Sequence, residues 1–283
     1  MLNIGLSSCG KELNAELFRS YSESGIKCIE ISAGRAEYAN SLNWKEIKVL
    51  SDMYGVDLWS FHIPFLPFDE IDISNPNLAD YTVEYFCKLI EYASEIGIRR
   101  FVINPSGEPI REGRDERMAC AKESLRRLAD FAEKFGAVIC VEDLPRTCLG
   151  RDSSEILELV SAHPSLKICF DTNHLLSETN EEFVKKVGDK IETLHVSDYD
   201  FLNERHWLPG EGLVDWTALY SSLIKAGYRG AWLYELGFAT PQSIVRERVL
   251  TCADFANNAK EIFSDSEITV LGKSVEGLVA WDA

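Results

Sequence analysis

The sequence predicts an α/β fold: a single (β/α)₈ barrel of the TIM-barrel type with a short C-terminal extension. Two observations indicate it. Eight short apolar segments alternate with amphipathic segments along the chain, and eight strand–helix units are the number that closes such a barrel. The length of 283 residues also fits, because these barrels often form one unit of about 250 residues. An open, doubly wound sheet is the structural alternative, but no GxGxxG motif follows the first apolar segment.

The predicted strands are hydrophobic nearly throughout, as expected of parallel strands that are covered on both faces. They lie near residues 2–8, 26–31, 56–62, 98–104, 137–142, 166–171, 190–196 and 230–235. Amphipathic segments between them predict helices, such as NWKEIKVLSDMYG and WTALYSSLIKAG. Several helices are expected to end at a glycine: Gly25, Gly55, Gly97, Gly136 and Gly227. Asp215 is predicted to cap the helix that follows it.

The eight units end near residue 263 and leave no room for a second domain. We therefore predict one domain over residues 1–283, with the barrel in about residues 1–263. The remaining segment, residues 264–283, is predicted to be a C-terminal extension that packs on the barrel exterior or is partly mobile.

Acidic residues outnumber basic ones, 46 to 29, which gives a formal net charge of −17. Nucleic acids and anionic membranes are bound through clustered basic charge, so we expect neither as a partner. The eight cysteines include no CxxC pair, and no apolar run approaches the roughly 18 residues of a membrane span. The N-terminal segment MLNIGLSSCG also lacks the features of a signal peptide, so the sequence predicts a reduced, cytoplasmic protein.

Four predicted strands each end at a side chain that can bind a metal ion. The segments are VICVED with Glu142, KICFDTNH with Asp171, TLHVSD with His195, and WLYELG with Glu235. A single acidic residue at a strand end is usually a loop salt bridge or a helix cap. Four such residues on consecutive strands predict a shared site, because the active site of this kind of barrel lies at the carboxyl ends of the strands.

The alternation of side chains along each strand supports this placement. If these side chains, together with Glu30, His62 and Asn104, point into the barrel, the residues two positions earlier also point inward. Those residues are Cys28, Ser60, Val102, Cys140, Cys169, Thr193 and Leu233, most of them small, as a narrow barrel interior requires. The intervening residues are bulky and are predicted to face the helices: Val141, Phe170, Val196 and Tyr234.

Seven polar side chains are therefore predicted around one mouth: Glu30, His62, Asn104, Glu142, Asp171, His195 and Glu235. The oxygen-rich set at the last four positions favours one divalent metal ion, Mn²⁺, Co²⁺ or Mg²⁺, and Zn²⁺ also fits. Four protein ligands on a metal ion that accepts about six leave two positions for oxygens of a substrate. A sugar with neighbouring carbonyl and hydroxyl groups would fit those positions.

The segments VED, FDTNH, HVSD, PGEG followed by DW, and YELG resemble the xylose isomerase-like TIM barrel superfamily of sugar isomerases and epimerases. The resemblance covers residues 1–263 and is most specific in the C-terminal half. It implies that Glu142, Asp171, His195 and Glu235 bind one divalent metal ion. In the ketose 3-epimerase branch, it further implies that Glu142 and Glu235 act as acid and base on opposite faces of the sugar, and that His174 contacts substrate.

The predicted function is a divalent-metal-dependent sugar isomerase or epimerase. A metal ion bound to a carbonyl oxygen and a neighbouring hydroxyl acidifies the intervening C–H group and stabilises an enediolate, while the two glutamates remove and return the proton. The expected partner is a small carbohydrate substrate, and a homo-oligomer is expected by analogy alone.

Further substrate contacts are predicted at the rim. Glu30, His62 and Asn104 are predicted to contact substrate, with a polar supporting role as the alternative for Glu30 and His62. Glu204 and His206 resemble an acidic-x-His pair that supplies zinc ligands in the apurinic endonuclease branch of the superfamily, and we expect them to contact substrate or each other. Arg205 is the only cation expected near the site. Three aromatic residues either form an apolar wall for the sugar or simply pack: Phe65, Trp207 and Phe238.

Three alternative functions are considered on the same scaffold. A lyase or dehydratase acting on a keto-cyclitol or keto-sugar would use the same metal-stabilised enolate but expel a hydroxyl group. An endonuclease acting on abasic DNA fits poorly, because Asn104 stands where a further histidine would be needed and the chain is acidic. A catalytically silent carbohydrate-binding barrel would not need the complete metal set. Fold resemblance alone does not choose among them.

Overall fold

The computed structural model describes residues 1–280 and confirms the predicted barrel. Its strands are β1 Ile4–Ser7, β2 Cys28–Ser32, β3 Asp57–His62, β4 Arg100–Ile103, β5 Val138–Glu142, β6 Lys167–Asp171, β7 Ile191–His195 and β8 Trp232–Tyr234. They form one parallel sheet in the order β7-β6-β5-β4-β3-β2-β1-β8. Each strand therefore pairs with its neighbours along the chain, and all eight carboxyl ends lie at the same end of the barrel.

Helices follow the strands and surround the barrel. They are α1 Ala15–Ser24, α2 Ala36–Ser41, α3 Trp44–Tyr54, α4 Ala79–Glu95, α5 Arg114–Ala132, α6 Ser153–Val160, α7 Asn180–Val187, α8 Trp216–Lys225 and α9 Cys252–Phe263. All five glycines predicted to follow a helix have positive φ, and the carboxylate of Asp215 accepts a hydrogen bond from the N–H of Ala218. Within residues 1–280, no helix is both long enough and apolar enough to span a bilayer.

The barrel closes between β7 and β8. The N–H of Val196 donates to the carbonyl oxygen of Leu233 (2.8 Å), and the N–H of Glu235 donates to that of Val196 (3.2 Å). Val196 and Tyr234 thereby form a parallel bridge. These backbone hydrogen bonds hold His195 and Glu235 side by side at the rim.

The interior of the barrel has the predicted side-chain register. Cys28 packs with Leu233 in one small buried cluster, and Val102 packs with Cys140 and Cys169 in another. The bulky alternates Val141, Phe170, Val196 and Tyr234 instead belong to the large core between the strands and the helices. The alternation rule thus separated the two faces of the strands correctly.

Strands β2 and β3 depart from a regular ladder. Ile29 pairs with Leu58 but Glu30 pairs with Ser60, so Trp59 is an extra residue on β3. Trp59 fills the lower barrel, where its Nε1 donates to Thr193 Oγ1 (3.0 Å). Because β2 continues to Ser32, Glu30 lies one layer below the strand ends, in line with Ser60 rather than His62. The sequence placed Glu30 at the mouth, and this placement is wrong.

The segment that follows α9 packs against the carboxyl end of the barrel. Its strand β10 (Gly272–Ser274) pairs antiparallel with β9 (Ile244–Arg246), which lies between β8 and α9. A buried ion pair between Arg246 and Glu211 joins β9 to the loop before α8. Within the described residues, this part of the predicted extension therefore packs on the barrel, whereas residues 281–283 lie outside them.

Asp198 organises the loop between β7 and α8, which contains the PGEG segment. Its buried carboxylate accepts hydrogen bonds from the backbone N–H groups of Gly210, Gly212 and Val214 and from Trp216 Nε1, at 2.8–3.2 Å. A Cβ atom on Gly212 would collide with this carboxylate, so only glycine fits there. The same loop presents Glu204 and His206, whose positions depend on this anchor.

Asp198→Asn should lower the free energy of unfolding by about 3 kcal/mol, because the amide would turn its own N–H group towards buried N–H donors. Urea unfolding followed by circular dichroism measures the change. Asp215→Asn is the matched control, since asparagine caps a helix as well as aspartate does, and a change below about 0.5 kcal/mol is expected. Equal losses in the two variants would contradict the role of Asp198.

Candidate functional site

A cavity of about 490 Å³ opens at the carboxyl ends of the strands. Seven of the ten predicted site residues line it: His62, Asn104, Glu142, His174, Glu204, His206 and Glu235. The other three, Glu30, Asp171 and His195, are completely buried. His195 contacts Glu142 and Asp171 contacts His174 in the lining, whereas Glu30 contacts His195 from below. The structure therefore gathers all ten around one cavity, in two layers.

His195 is the centre of the buried layer. Its Nδ1 lies 2.6 Å from Glu142 Oε1 and 3.1 Å from Glu235 Oε2. Asp171 Oδ2 is 4.0 Å from the same nitrogen. The four predicted metal ligands thus converge on one point, although each comes from a different strand or strand end.

Two histidines extend this group. Ligand atoms of His62, Glu142, His195 and Glu235 all lie within 4.8 Å of one another, and a second such group contains Glu142, Asp171 and His174. His62 Nε2 is 3.2 Å from Glu142 Oε2, and its ring stacks on that of His195. Glu142 is common to both groups and is therefore the most central carboxylate of the site.

Glu30 supports the site from below. Its carboxylate lies 3.0 Å from His195 Nε2 and accepts a hydrogen bond from Ser60 Oγ (2.7 Å). Because Glu30 pairs with Nε2 of His195, the Nδ1 atom faces the other carboxylates. A carboxylate that hydrogen-bonds the second ring nitrogen of a metal-binding histidine orients the ring in the same way. A direct contact between Glu30 and substrate stays a prediction, and its complete burial favours the supporting role.

Burial and charge shift the pKa values of these groups. Burial raises the pKa of Asp171 to about 7, despite the neighbouring His174. Burial opposes the charge on His62, but the carboxylates of Glu142, Glu235 and Glu30 outweigh it and raise the His62 pKa to about 9. His195 and His62 hold the pKa of Glu142 below its usual range, although burial opposes its charge. The site is therefore an anionic cluster that positive charge stabilises.

The buried oxygens of the cluster fit a divalent cation. Asp171 Oδ1 accepts the N–H of Asn173, whereas Oδ2 is buried and has no hydrogen-bond partner among the described residues. A buried carboxylate oxygen without a donor costs free energy unless a cation meets it. Carboxylates and an imidazole are also ligands that first-row divalent ions accept. The assignment of such an ion to Glu142, Asp171, His195 and Glu235 stays a prediction, and His62 belongs to the same cluster as Glu142, His195 and Glu235.

Glu204 and His206 contact each other, which is one of the two arrangements expected; the other was contact with substrate. His206 Nε2 is 2.9 Å from Glu204 Oε1, and His174 Nε2 is 3.8 Å from the same oxygen. Burial opposes the charge on His206, but its hydrogen bond to Glu204 raises its pKa to about 9. These three side chains form the upper wall beside Asp171.

Arg146, which was not predicted from the sequence, is the Lys or Arg side chain that lines the cavity among residues 1–280. Its guanidinium donates to both carboxylate oxygens of Glu108, to Asn203 Oδ1 and to Glu204 Oε2. Arg205 was expected to be the only cation near the site, and this is wrong, because Arg205 pairs with Asp200 away from the cavity. Arg146 could have been found from its position four residues after Glu142, in a loop that must border the mouth.

The apolar wall differs in part from the prediction. Phe65 lines the cavity as predicted, together with Phe68 and Leu236, which were not foreseen. Trp207 is buried in the loop, where its Nε1 donates to Ser243 Oγ. Phe238 packs on Phe255 outside the cavity lining. Trp207 and Phe238 therefore pack against other residues outside the cavity lining, which was the alternative prediction for these aromatics.

Comparison with known proteins places these features in context. Residues 18–249 match the family model of the xylose isomerase-like TIM barrel. A curated relative, fructoselysine 3-epimerase of Shigella flexneri, is 26% identical over 250 residues, which cover 83% of this chain and 90% of the relative. Among solved structures, a D-tagatose 3-epimerase-like protein is 24% identical with a TM-score of 0.79, covering 93% of this chain and 98% of its own. A D-psicose 3-epimerase crystallised in the presence of D-fructose is 17% identical with a TM-score of 0.76, covering 94% and 98%.

Arg146→Gln should increase hydrogen–deuterium exchange of the backbone amides in residues 203–206 by about tenfold, because Arg146 ties this segment to Glu108. Mass spectrometry of peptides from this region measures the change. Arg127→Gln is the control, since Arg127 forms an ion pair with Asp80 on the outer helices. Unchanged exchange at residues 203–206 in Arg146→Gln would show that other contacts hold the segment.

Proposed function

Because the chain belongs to the xylose isomerase-like TIM barrel family, we propose that it is a metal-dependent epimerase or isomerase of a ketose or ketose derivative. The observation that carries the proposal is the position of Glu142 and Glu235, two carboxylates that meet at His195 Nδ1 on the floor of a substrate-sized cavity. The names of the similar proteins, which are 3-epimerases of sugars, support the same reaction class.

The proposed mechanism uses the two glutamates as proton carriers. A divalent ion held by Glu142, Asp171, His195 and Glu235 would supply the Lewis acid that lowers the pKa of the C–H group next to the substrate carbonyl. One of the carboxylates of Glu142 and Glu235 removes that proton, and the other returns a proton to the opposite face of the same carbon. If the proton were returned to the neighbouring carbon instead, the reaction would be an aldose–ketose isomerisation.

Other residues of the cavity position the sugar. His62 and His174 line the cavity, with Nε2 of His62 3.2 Å from Glu142 Oε2 and Nε2 of His174 3.5 Å from Asp171 Oδ2. We propose that these two nitrogens donate to sugar oxygens when substrate binds. Phe65 and Phe68 offer an apolar face for the carbon skeleton, and Asn104 and His206 line the same space. We propose that these residues orient substrate so that its reactive C–H group faces a glutamate.

A lyase on the same scaffold is the second candidate. It would use the same floor but would need an acid placed to protonate a departing hydroxyl group. The His206–Glu204 pair above the floor is the one feature that favours it, because a protonated His206 could serve as that acid. An abasic-DNA nuclease has no support from the cavity, where a carboxylate neutralises each side of Arg146.

Manganese loading should raise the melting temperature by about 5 °C when the free ion is at roughly 100 times its Kd. Asp171→Asn should abolish this rise while increasing the melting temperature of the metal-free protein, because it removes a buried negative charge. Glu30→Gln should weaken Mn²⁺ binding about 10–100-fold through His195. Differential scanning calorimetry measures these shifts, and Asp215→Asn should behave as wild type. A shift that survives in Asp171→Asn would disprove the ligand assignment.

Incubation of the Mn²⁺-loaded protein with a panel of ketoses in D₂O should introduce deuterium at the carbon next to the carbonyl. Glu142→Gln and Glu235→Gln should each reduce this exchange about 10²–10⁴-fold, because each removes a proton carrier. NMR follows the exchange, and metal content is measured on the same samples to separate lost chemistry from lost metal. Release of water with a new ultraviolet chromophore, without exchange, would instead establish the lyase.

A further inference from the structure

We propose that Asn173 is a positioning residue, which holds His206 at the rim of the cavity above the floor of the site. In this role Asn173 acts through His206 rather than on the substrate itself. The inference rests on the proposed function in one respect, since it takes His206 as a side chain that binds substrate. It assigns a role to a residue that the sequence analysis left without one.

Asn173 joins the floor to the rim through its backbone and its side chain. It is completely buried and stands between Asp171 and His174 in the FDTNH segment. Its N–H group donates to Asp171 Oδ1 (2.7 Å). Its Oδ1 accepts the backbone N–H groups of Arg205 (2.8 Å) and His206 (3.3 Å), which lie 32 and 33 residues later along the chain. One short side chain therefore connects the loop after β6 to the loop after β7.

The two backbone donors fix the orientation of the Asn173 amide. Because both N–H groups approach the same atom, that atom is the oxygen, and the amide cannot be turned over. The amide nitrogen Nδ2 is buried and has no hydrogen-bond partner within residues 1–280. An unpaired buried donor costs free energy. Asn173 is therefore a poor residue for stability alone, and its value lies in holding two adjacent N–H groups.

His206 adopts a backbone conformation that needs such support. Its φ of 53° lies in the left-handed region, which is uncommon for residues other than glycine and persists only where the surroundings enforce it. A return to the common helical φ would rotate the chain about the N–Cα bond of His206 by roughly 120°. The imidazole would then leave its contacts with the carbonyl oxygen of Glu235 (3.2 Å) and with Glu204 Oε1 (2.9 Å). The hydrogen bonds to Asn173 oppose that rotation.

The same turn sends two neighbouring side chains to opposite sides. Arg205 faces outward, where its guanidinium donates to Asp200 Oδ2 (2.8 Å) and to the carbonyl oxygen of Val279 (3.0 Å). His206 faces inward and lines the cavity. Because Asn173 binds the N–H groups of both, it sets which of the two side chains faces the substrate.

Asn173→Ala removes the acceptor and tests the proposal without any substrate. The amides of Arg205 and His206 should exchange with deuterium about fivefold to tenfold faster, because each loses its hydrogen bond. NMR resolves the two amides. A crystal structure of the variant should show the His206 ring displaced from Glu204.

Asn180→Ala is the matched control. Asn180 is also a buried asparagine, and its Nδ2 donates to the carbonyl oxygen of Thr172 (3.0 Å) in the same segment. Even if it lowers the melting temperature, this variant should keep exchange at residues 205 and 206 within about twofold of wild type. Unchanged exchange in Asn173→Ala, or equal acceleration in both variants, would overturn the proposal.

A double-mutant cycle with His206 separates positioning from a general effect on the fold. With a ketose that wild type epimerises, Asn173→Ala should raise KM about threefold to tenfold while kcat changes less than about twofold, because a binding contact is lost. His206→Ala should raise KM at least as much, and adding Asn173→Ala to it should raise KM less than about twofold further. If the two effects multiply instead, Asn173 does not act through His206, and the proposal is disproved.

The two kinds of measurement distinguish this inference from the proposed function. If no ketose exchanges deuterium, but Asn173→Ala loosens the two amides and displaces His206, the proposed function fails and the positioning of His206 stands. If ketoses are epimerised, but Asn173→Ala leaves both amide exchange and KM unchanged, the proposed function stands and the role of Asn173 is disproved.

Discussion

Several buried carboxylates share one histidine at the floor of this barrel, and the rest of the structure depends on that contact. Glu142, Glu235 and Glu30 all approach the two ring nitrogens of His195 within about 3 Å. Like charges buried this closely repel one another unless positive charge separates them. The site is therefore built to attract cations and protons, which is the property that proton transfer next to a carbonyl requires.

The scaffold holds this cluster in place by different means at each level. Parallel ladders and the bridge between Val196 and Tyr234 fix the strand ends, so backbone hydrogen bonds hold the floor of the site. Above it, Asp198 anchors the loop that presents His206, and Arg146 ties that loop to its neighbours.

Much of the fold and the inner site could be predicted from the sequence, because both follow from local periodicity. Alternation along a strand depends only on residue spacing, so the inward positions of Cys140 and Cys169 were correct. The same rule misplaced Glu30, since the extra residue Trp59 on β3 and the length of β2 shift the layers. A bulge depends on how two strands pair, and no spacing within one strand reveals it.

The sequence alone determined the barrel, the two faces of each strand and the convergence of four strand-end side chains, since hydrophobic runs and side-chain alternation are local properties of the chain. Which cation lines the cavity was decided by tertiary structure. Arg146 rather than Arg205 reaches it, because the contacts with Glu108 and Glu204 join loops separated by dozens of residues. Loop side chains obey no period, so their partners emerge only when the barrel brings the loops together.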